Sequence, residues 1–463
     1  MNSSTRKAPV ISPAFKPALA CALAGVICAM AIDNVKAATS YYFHLNGTSP
    51  GFGIVNGGSY SWDDADWATT STAAPTTTWQ AGGFARFNST STPYTITVNN
   101  DESMAGLFNT VATAVTINAA GIGTLDITTA GGSGPGNTIQ GFLLSGSSSS
   151  SVTINAPISG LGGIQPQQTG SLNLFGNNTY SGGTYLTSSG TLVNFNNNNS
   201  FGSGLITIGT ASGAFAPVLG KGGATITLAN NFSNSVSGGG INFAADASTP
   251  VISTGNWSLG ANNLNLRNNG ISSSPLTLSG VISGSANLSL SANNSGTIVL
   301  SGANTYTGTT TVGVGTTAVT LRLGAANTIA SSSSVVVAGG ILNPGGFNQI
   351  MSSTTLGLTA NSTLDYGAGA SEVDFANSSG LTWTSGKILN LANWDSSIDK
   401  LRFGTDSTGL TSAQLSEIEF NGAGLGTAGI DSNGYIIVVP EPSAAFLGLV
   451  GFGAMGIIRR RKA

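Results

Sequence analysis

Asp63, Asp64 and Asp66, set with Trp62 and Trp67 in the stretch WDDADW, come nearest to a ligand-binding group in this chain. Clustered carboxylates suit a hard cation such as Ca²⁺, and an indole face suits a sugar ring. The plainer alternative is three hydrated acids in a Ser-rich segment. Asp365, Glu372 and Asp374, in DYGAGASEVD, pose the same choice. Cleavage of a glycosidic bond needs two convergent carboxylates, often with a basic partner. Residues 130–340 hold one acid, Asp246, with Lys221, Arg267 and Arg322, and one carboxylate does not make such a pair. His44 is the sole histidine, and both cysteines, Cys21 and Cys28, fall before residue 38. Imidazole clusters, thiolate nucleophiles and disulfides in the remainder are therefore excluded by count. No lysine follows the glycines at phosphate-loop spacing. No enzyme activity, resident metal or cofactor is expected, and a glycan-binding protein or polysaccharide-degrading enzyme with its site in a cap at one end is the runner-up.

The ends of the chain are addresses. Arg6, Lys7 and Lys16 precede an apolar run over residues 18–32, and Val35 and Ala37 follow as a small-x-small exit. That order predicts a secretory signal peptide over residues 1–37, cut by signal peptidase between Ala37 and Ala38. Of the 15 Lys and Arg, four lie in that segment and four more, Arg459, Arg460, Arg461 and Lys462, close the sequence. Seven cations against sixteen acids remain between the ends, a balance of about −9 that offers nucleic acid no basic surface. The closing cations follow 15 uncharged residues, 444–458, preceded by Pro440, Glu441 and Pro442. A helix of that length spans ~22 Å, short of a ~30 Å hydrocarbon core unless residues beside it contribute. The positive-inside rule places the cations in the cytoplasm as a stop. Proline-flanked acid, short span and Arg cluster together resemble the PEP-CTERM sorting signal, over residues 440–463. The resemblance implies processing by an exosortase at the inner membrane, a transient tether there, and a destination at the cell surface or outside, associated with extracellular polysaccharide.

Between the ends lie about 400 residues rich in Ser, Thr, Asn and Gly, crossed by short alternating runs such as YTITV, AVTIN, SVTIN and ATITL. Period-two alternation closed by Asn or Gly predicts strands and turns, so the fold class is all-β. The pattern also repeats. Leu172, Leu174, Gly176, Asn178, Thr179, Tyr180, Gly182 and Thr184 recur as Ile298, Leu300, Gly302, Asn304, Thr305, Tyr306, Gly308 and Thr310. Such self-similarity predicts a solenoid in which strands stack turn upon turn and Asn and Thr form ladders. Leu174 and Leu300 should point inward at equivalent places of the coil. Asn178 and Asn304 should act in turns, each worth ~1 kcal/mol, and the glycines should supply positive φ angles. The motif resembles the autotransporter-associated β-strand repeat, which implies a right-handed parallel β-helix. A β-sandwich tandem is the alternative fold. An autotransporter adhesin ranks below both other functional readings, because no closing run of ~10-residue strands forms a membrane barrel.

A solenoid needs its ends covered. Residues 38–109, with Trp62, Trp67 and Trp79, are expected to form an N-terminal cap, residues 110–360 the coil, and residues 361–439 a C-terminal cap. Thr411 or Ser412 should cap one short helix running to Ile418, and residues 431–439 should form a last strand.

Overall fold

The computed structural model describes residues 39–439, apart from 45–57, 76, 88–92, 110–112, 128–140, 144–150, 167–169, 246–248, 271–273, 315–317 and 423–426. The chain divides into two units, Met1–Ala37 and Ala38–Ala463, and every described residue belongs to the second. That unit is an all-β solenoid. Sheets of thirteen, nine and seven strands carry most of it, with smaller sheets toward each end. Neighbours within the three large sheets run parallel and come from successive turns, as when Val193 faces Val218 and Val218 faces Phe243.

The alternating sequence builds the core directly. In the nine-stranded sheet one column runs Ile226, Val251, Leu276, Ile298, Leu321, Leu342, Leu364, Leu391 and Phe420, each in register with the next. All nine are buried, while the residue between a pair of inward positions, such as Thr277, stays at least part-exposed except at Val299, which is buried too. In the thirteen-stranded sheet Ile241, Leu266, Leu290, Val312, Val337 and Leu358 form another such column. Each fully buried aliphatic side chain contributes about 1.5–3 kcal/mol against conformational entropy. Shifting a strand by one residue would expose its whole column, so the alternation fixes the register.

The two ends are closed differently. At the first, Phe43, Trp62, Trp67, Trp79, Phe87 and Tyr94 pack together, edge to face between Phe43 and Trp67 at 5.1 Å and between Trp62 and Trp79 at 5.2 Å, and stacked between Phe43 and Tyr94. At the other, Thr427–Ile430 and Ile436–Val439 form an antiparallel hairpin. Asp431 accepts from the backbone N–H groups of Asn433 and Tyr435, both at 2.8 Å, and so makes the turn. The closing strand thus begins at Ile436, later than expected at residue 431.

Two further expectations are corrected. The only described α-helix is Ser412–Leu415, capped by Thr411 with Gln414 completing a capping box. It stops short of Ile418 because Ile418–Phe420 is a strand, in register with Leu389–Leu391 of the nine-stranded sheet. Burying Ile418 and Phe420 on that sheet outweighs another helical turn. Secondly, the thirteen-stranded sheet ends at Leu356–Ala360, but the nine-stranded sheet runs on to Phe420, so much of residues 361–439 is further coil. Among the described residues no helix is long and apolar enough to cross a membrane, and the span expected over residues 444–458 lies outside them.

Candidate functional site

Among the described residues the acids near the first end are not gathered into a group placed to hold a metal ion. Asp63 accepts from the Nδ2 atoms of Asn99 and Asn100, at 3.1 and 3.2 Å, and Asp64 accepts from the Ser61 N–H at 3.2 Å. Asp66 lies apart from these contacts, its carboxyl raised above the usual range by burial and by the Asp64 charge. Among the described residues no group of three or more His, Cys, Asp or Glu is placed to hold a metal ion. The local chemistry missed by sequence is a carboxyl pair. Glu102 is pushed up to about 7 by burial, by its hydrogen bond with Asp63, and by the charges of Asp63 and Asp101. Trp62 and Trp67 are fully buried, with the Trp67 indole N–H donating to the Trp62 carbonyl at 2.9 Å. Their faces belong to the aromatic core and present nothing to a sugar, which corrects that expectation.

Asp365, Glu372 and Asp374 also part company. Asp374 is buried and paired with Arg402, its cross-strand neighbour. Burial outweighs the guanidinium and leaves the Asp374 carboxyl above its usual range. Glu372 accepts from the Tyr435 hydroxyl at 2.8 Å, which ties the terminal hairpin to the coil. Asp365 accepts from Asn343 and Asn393 at 3.2 and 2.6 Å.

The repeat motif is where side-chain chemistry is most ordered. Leu174 and Leu300 are both fully buried, but in different sheets. The first copy runs from the thirteen-stranded sheet (Gly170–Leu174) to the seven-stranded one (Thr184–Leu186). The second runs from the nine-stranded sheet (Thr297–Leu300) to the thirteen-stranded one (Thr310–Val312). The motif has therefore rotated by one face, and the expected equivalence of position is corrected to an equivalence of surroundings.

Those surroundings are nearly identical. Asn178 Oδ1 accepts from the Ile158 N–H at 2.9 Å and its Nδ2 donates to the Ser200 carbonyl at 2.7 Å. Asn304 does the same between Ile282 and Thr328, at 2.8 and 2.7 Å. Each buried amide thus joins the turn below to the turn above and substitutes for a backbone rung. Thr179 and Thr305 extend the stacking through their N–H groups, which donate to the Ile158 and Ile282 carbonyls at 2.8 and 2.9 Å. The hydroxyls of Tyr180 and Tyr306 pair with Thr184 and Thr310, each at 2.6 Å. Gly176 and Gly302 do not have positive φ. A Cβ on either would overlap the carbonyl oxygen of the turn below, at Ala156 or Gly280. Gly182 and Gly308 are held by the same crowding. These four glycines serve close approach, while the expected positive φ angles fall at other glycines, Gly160, Gly183, Gly284 and Gly313 among them.

Ala37, Ala38, Pro440, Glu441, Pro442, Arg459, Arg460, Arg461 and Lys462 lie outside the described residues. What the described ones define is a parallel β-solenoid cross-linked by buried asparagines and ending in a docked hairpin. A family model of the PEP-CTERM protein-sorting motif matches residues 438–462, which begin within that hairpin's last strand. The motif marks an exported protein processed by an exosortase and sorted through the membrane toward the cell surface. No curated protein and no solved structure matches the chain.

Proposed function

We propose that this is a non-enzymatic structural or adhesive protein of the cell surface or extracellular matrix, associated with extracellular polysaccharide once its tail has been processed. A signal peptide ending at Ala37 starts export, and the cationic end holds the chain at the inner membrane until an exosortase acts. The repeats are related to the autotransporter-associated β-strand repeat. One observation carries the proposal. The buried polar side chains of the repeat motif, Asn178 and Asn304, are spent on holding turn to turn instead of converging on a reacting centre. Against a sugar site at the first end stand the buried Trp62 and Trp67. Cells lacking the protein, and the same cells complemented with it, test the proposal. The protein should stay in washed extracellular polysaccharide and release no new reducing ends. Free protein in the wash, or new reducing ends, would overturn it.

A further inference from the structure

Near the second end, three successive turns of the nine-stranded sheet bring left-handed residues to one corner. They are Gly367 (φ 66°), Asn393 (φ 53°), and Asn421 with Gly422 (φ 50° and 72°). With Asn390, Ala392 and Trp394 they line an open depression of about 720 Å³, within the size range of small-ligand sites. Positive φ costs Asn little, and it carries an amide to the surface where the chain reverses. At Gly422 a side chain would meet only open space, so the wall there is bare backbone.

The polar groups are of two kinds. Some are committed to rigidity. Asn421 accepts from the Trp394 N–H at 3.0 Å and donates to the Trp394 carbonyl at 3.1 Å. Trp394 packs against Tyr366 and Phe420, at 5.1 and 5.7 Å between ring centres, and is 6% exposed. Others are half used. Asn390 Oδ1 accepts from the Gly422 N–H at 3.0 Å, while its Nδ2 has no acceptor among the described residues. Asn393 Nδ2 donates to Asp365 at 2.6 Å, while its Oδ1 has no donor among them. The buried Trp394 Nε1 also lacks a partner there, a cost a protein seldom leaves unmet.

We propose that this corner is a binding site for a neutral saccharide, a proposal that rests on the polysaccharide association above and gives it a location. A sugar hydroxyl both donates and accepts, so adjacent hydroxyls match the free Asn390 donor and Asn393 acceptor. The Asn421 clamp on the Trp394 backbone keeps the wall of the depression rigid, so the amides are held in place for a ligand. Charge selects against an acidic glycan. Among the described residues no Lys or Arg lines the depression, Asp365 adjoins it through Asn393, and Glu419 is the cross-strand neighbour of Asn390.

Titration calorimetry of the full-length chain with cellohexaose, isomaltohexaose and hexagalacturonate tests this. At least one neutral hexamer should bind and the acidic one should not. Asn390→Ala with Asn393→Gly, the latter keeping a residue suited to positive φ, should weaken binding at least tenfold. Asn390→Asp, nearly the same size, should do likewise with the unfolding midpoint kept. Binding that survives both variants would overturn the site while leaving the matrix role standing. No binding of any hexamer would overturn both, and preference for the acidic hexamer would overturn the ligand class.

Discussion

Replacing Asn304 with Ala should break the coil at one place, and the size of the effect follows from the geometry. The Ile282 N–H and the Thr328 carbonyl, 24 residues or fewer from Asn304 on the turns below and above, lose their partner together. Asn304 is 8% exposed, so water reaches the vacated space poorly. Each buried polar group left unmet costs about 1–3 kcal/mol, giving roughly 2–6 kcal/mol for the pair. That exceeds the ~1 kcal/mol of an ordinary turn contact. A solenoid opens locally, so a global unfolding midpoint understates the loss. Hydrogen exchange at the Ile282 amide reads it where it occurs. Protection there should fall by at least thirtyfold, since 1.4 kcal/mol is a factor of ten. Asn304→Asp keeps the acceptor and should spare Ile282 more than Ala does. The control Asn294→Ala removes one exposed 3.5 Å contact and should change little. Unchanged protection at Ile282 in Asn304→Ala would refute the bridging role.

Leu174→Asp and Leu300→Asp should each cost several kcal/mol, because each buries an unpaired carboxyl in a fully enclosed position; an unaltered thermal melt would place those residues on the wrong face. Gly302→Ala should destabilise by about 1–3 kcal/mol through overlap with the Gly280 carbonyl, measured by urea denaturation, whereas a gain in stability would mean that only backbone entropy matters there. The folded-state pKa of Glu102 lies above its unfolded value, so the native state binds the proton more tightly. Stability should therefore fall as pH rises from about 4.5 to about 7. Glu102→Gln should flatten that slope in melts taken across the range, and an unchanged slope would remove Glu102 as its source.

Much of this was legible beforehand. Alternation in YTITV and ATITL announced strands, and their inward residues fall in the buried columns, Ile96 and Ile226 among them. Leu174 and Leu300 could be placed inside from spacing alone. The rotation of the second motif by one face could not, because it depends on lengths accumulated over the intervening turns. Asn178 and Asn304 looked like turn residues because a sequence shows neighbours along the chain and not those a turn away. For the same reason spacing could not show that Gly176 and Gly302 are required by the carbonyl beneath each of them. WDDADW misled differently. Two indoles flank three acids there, but which of them faces the core is set by Phe43, Trp79 and Phe87, outside the stretch. The helix was overdrawn past Leu415 because Ile418 and Phe420 suit either period, and only the waiting edge at Leu389–Leu391 decides for the strand.

The sorting motif is the account's hinge, and the C-terminus of the exported protein tests it most directly. Mass spectrometry of the protein recovered from outside the cell, in a host with its exosortase, should find the chain ending at or near Pro440, Glu441 and Pro442. The cationic tail, Arg459 to Lys462, should be gone. Replacing those four cations with Ser should abolish the shortened form, since without them nothing holds the tail at the inner membrane. A protein outside the cell that still ends at Ala463 would contradict the account.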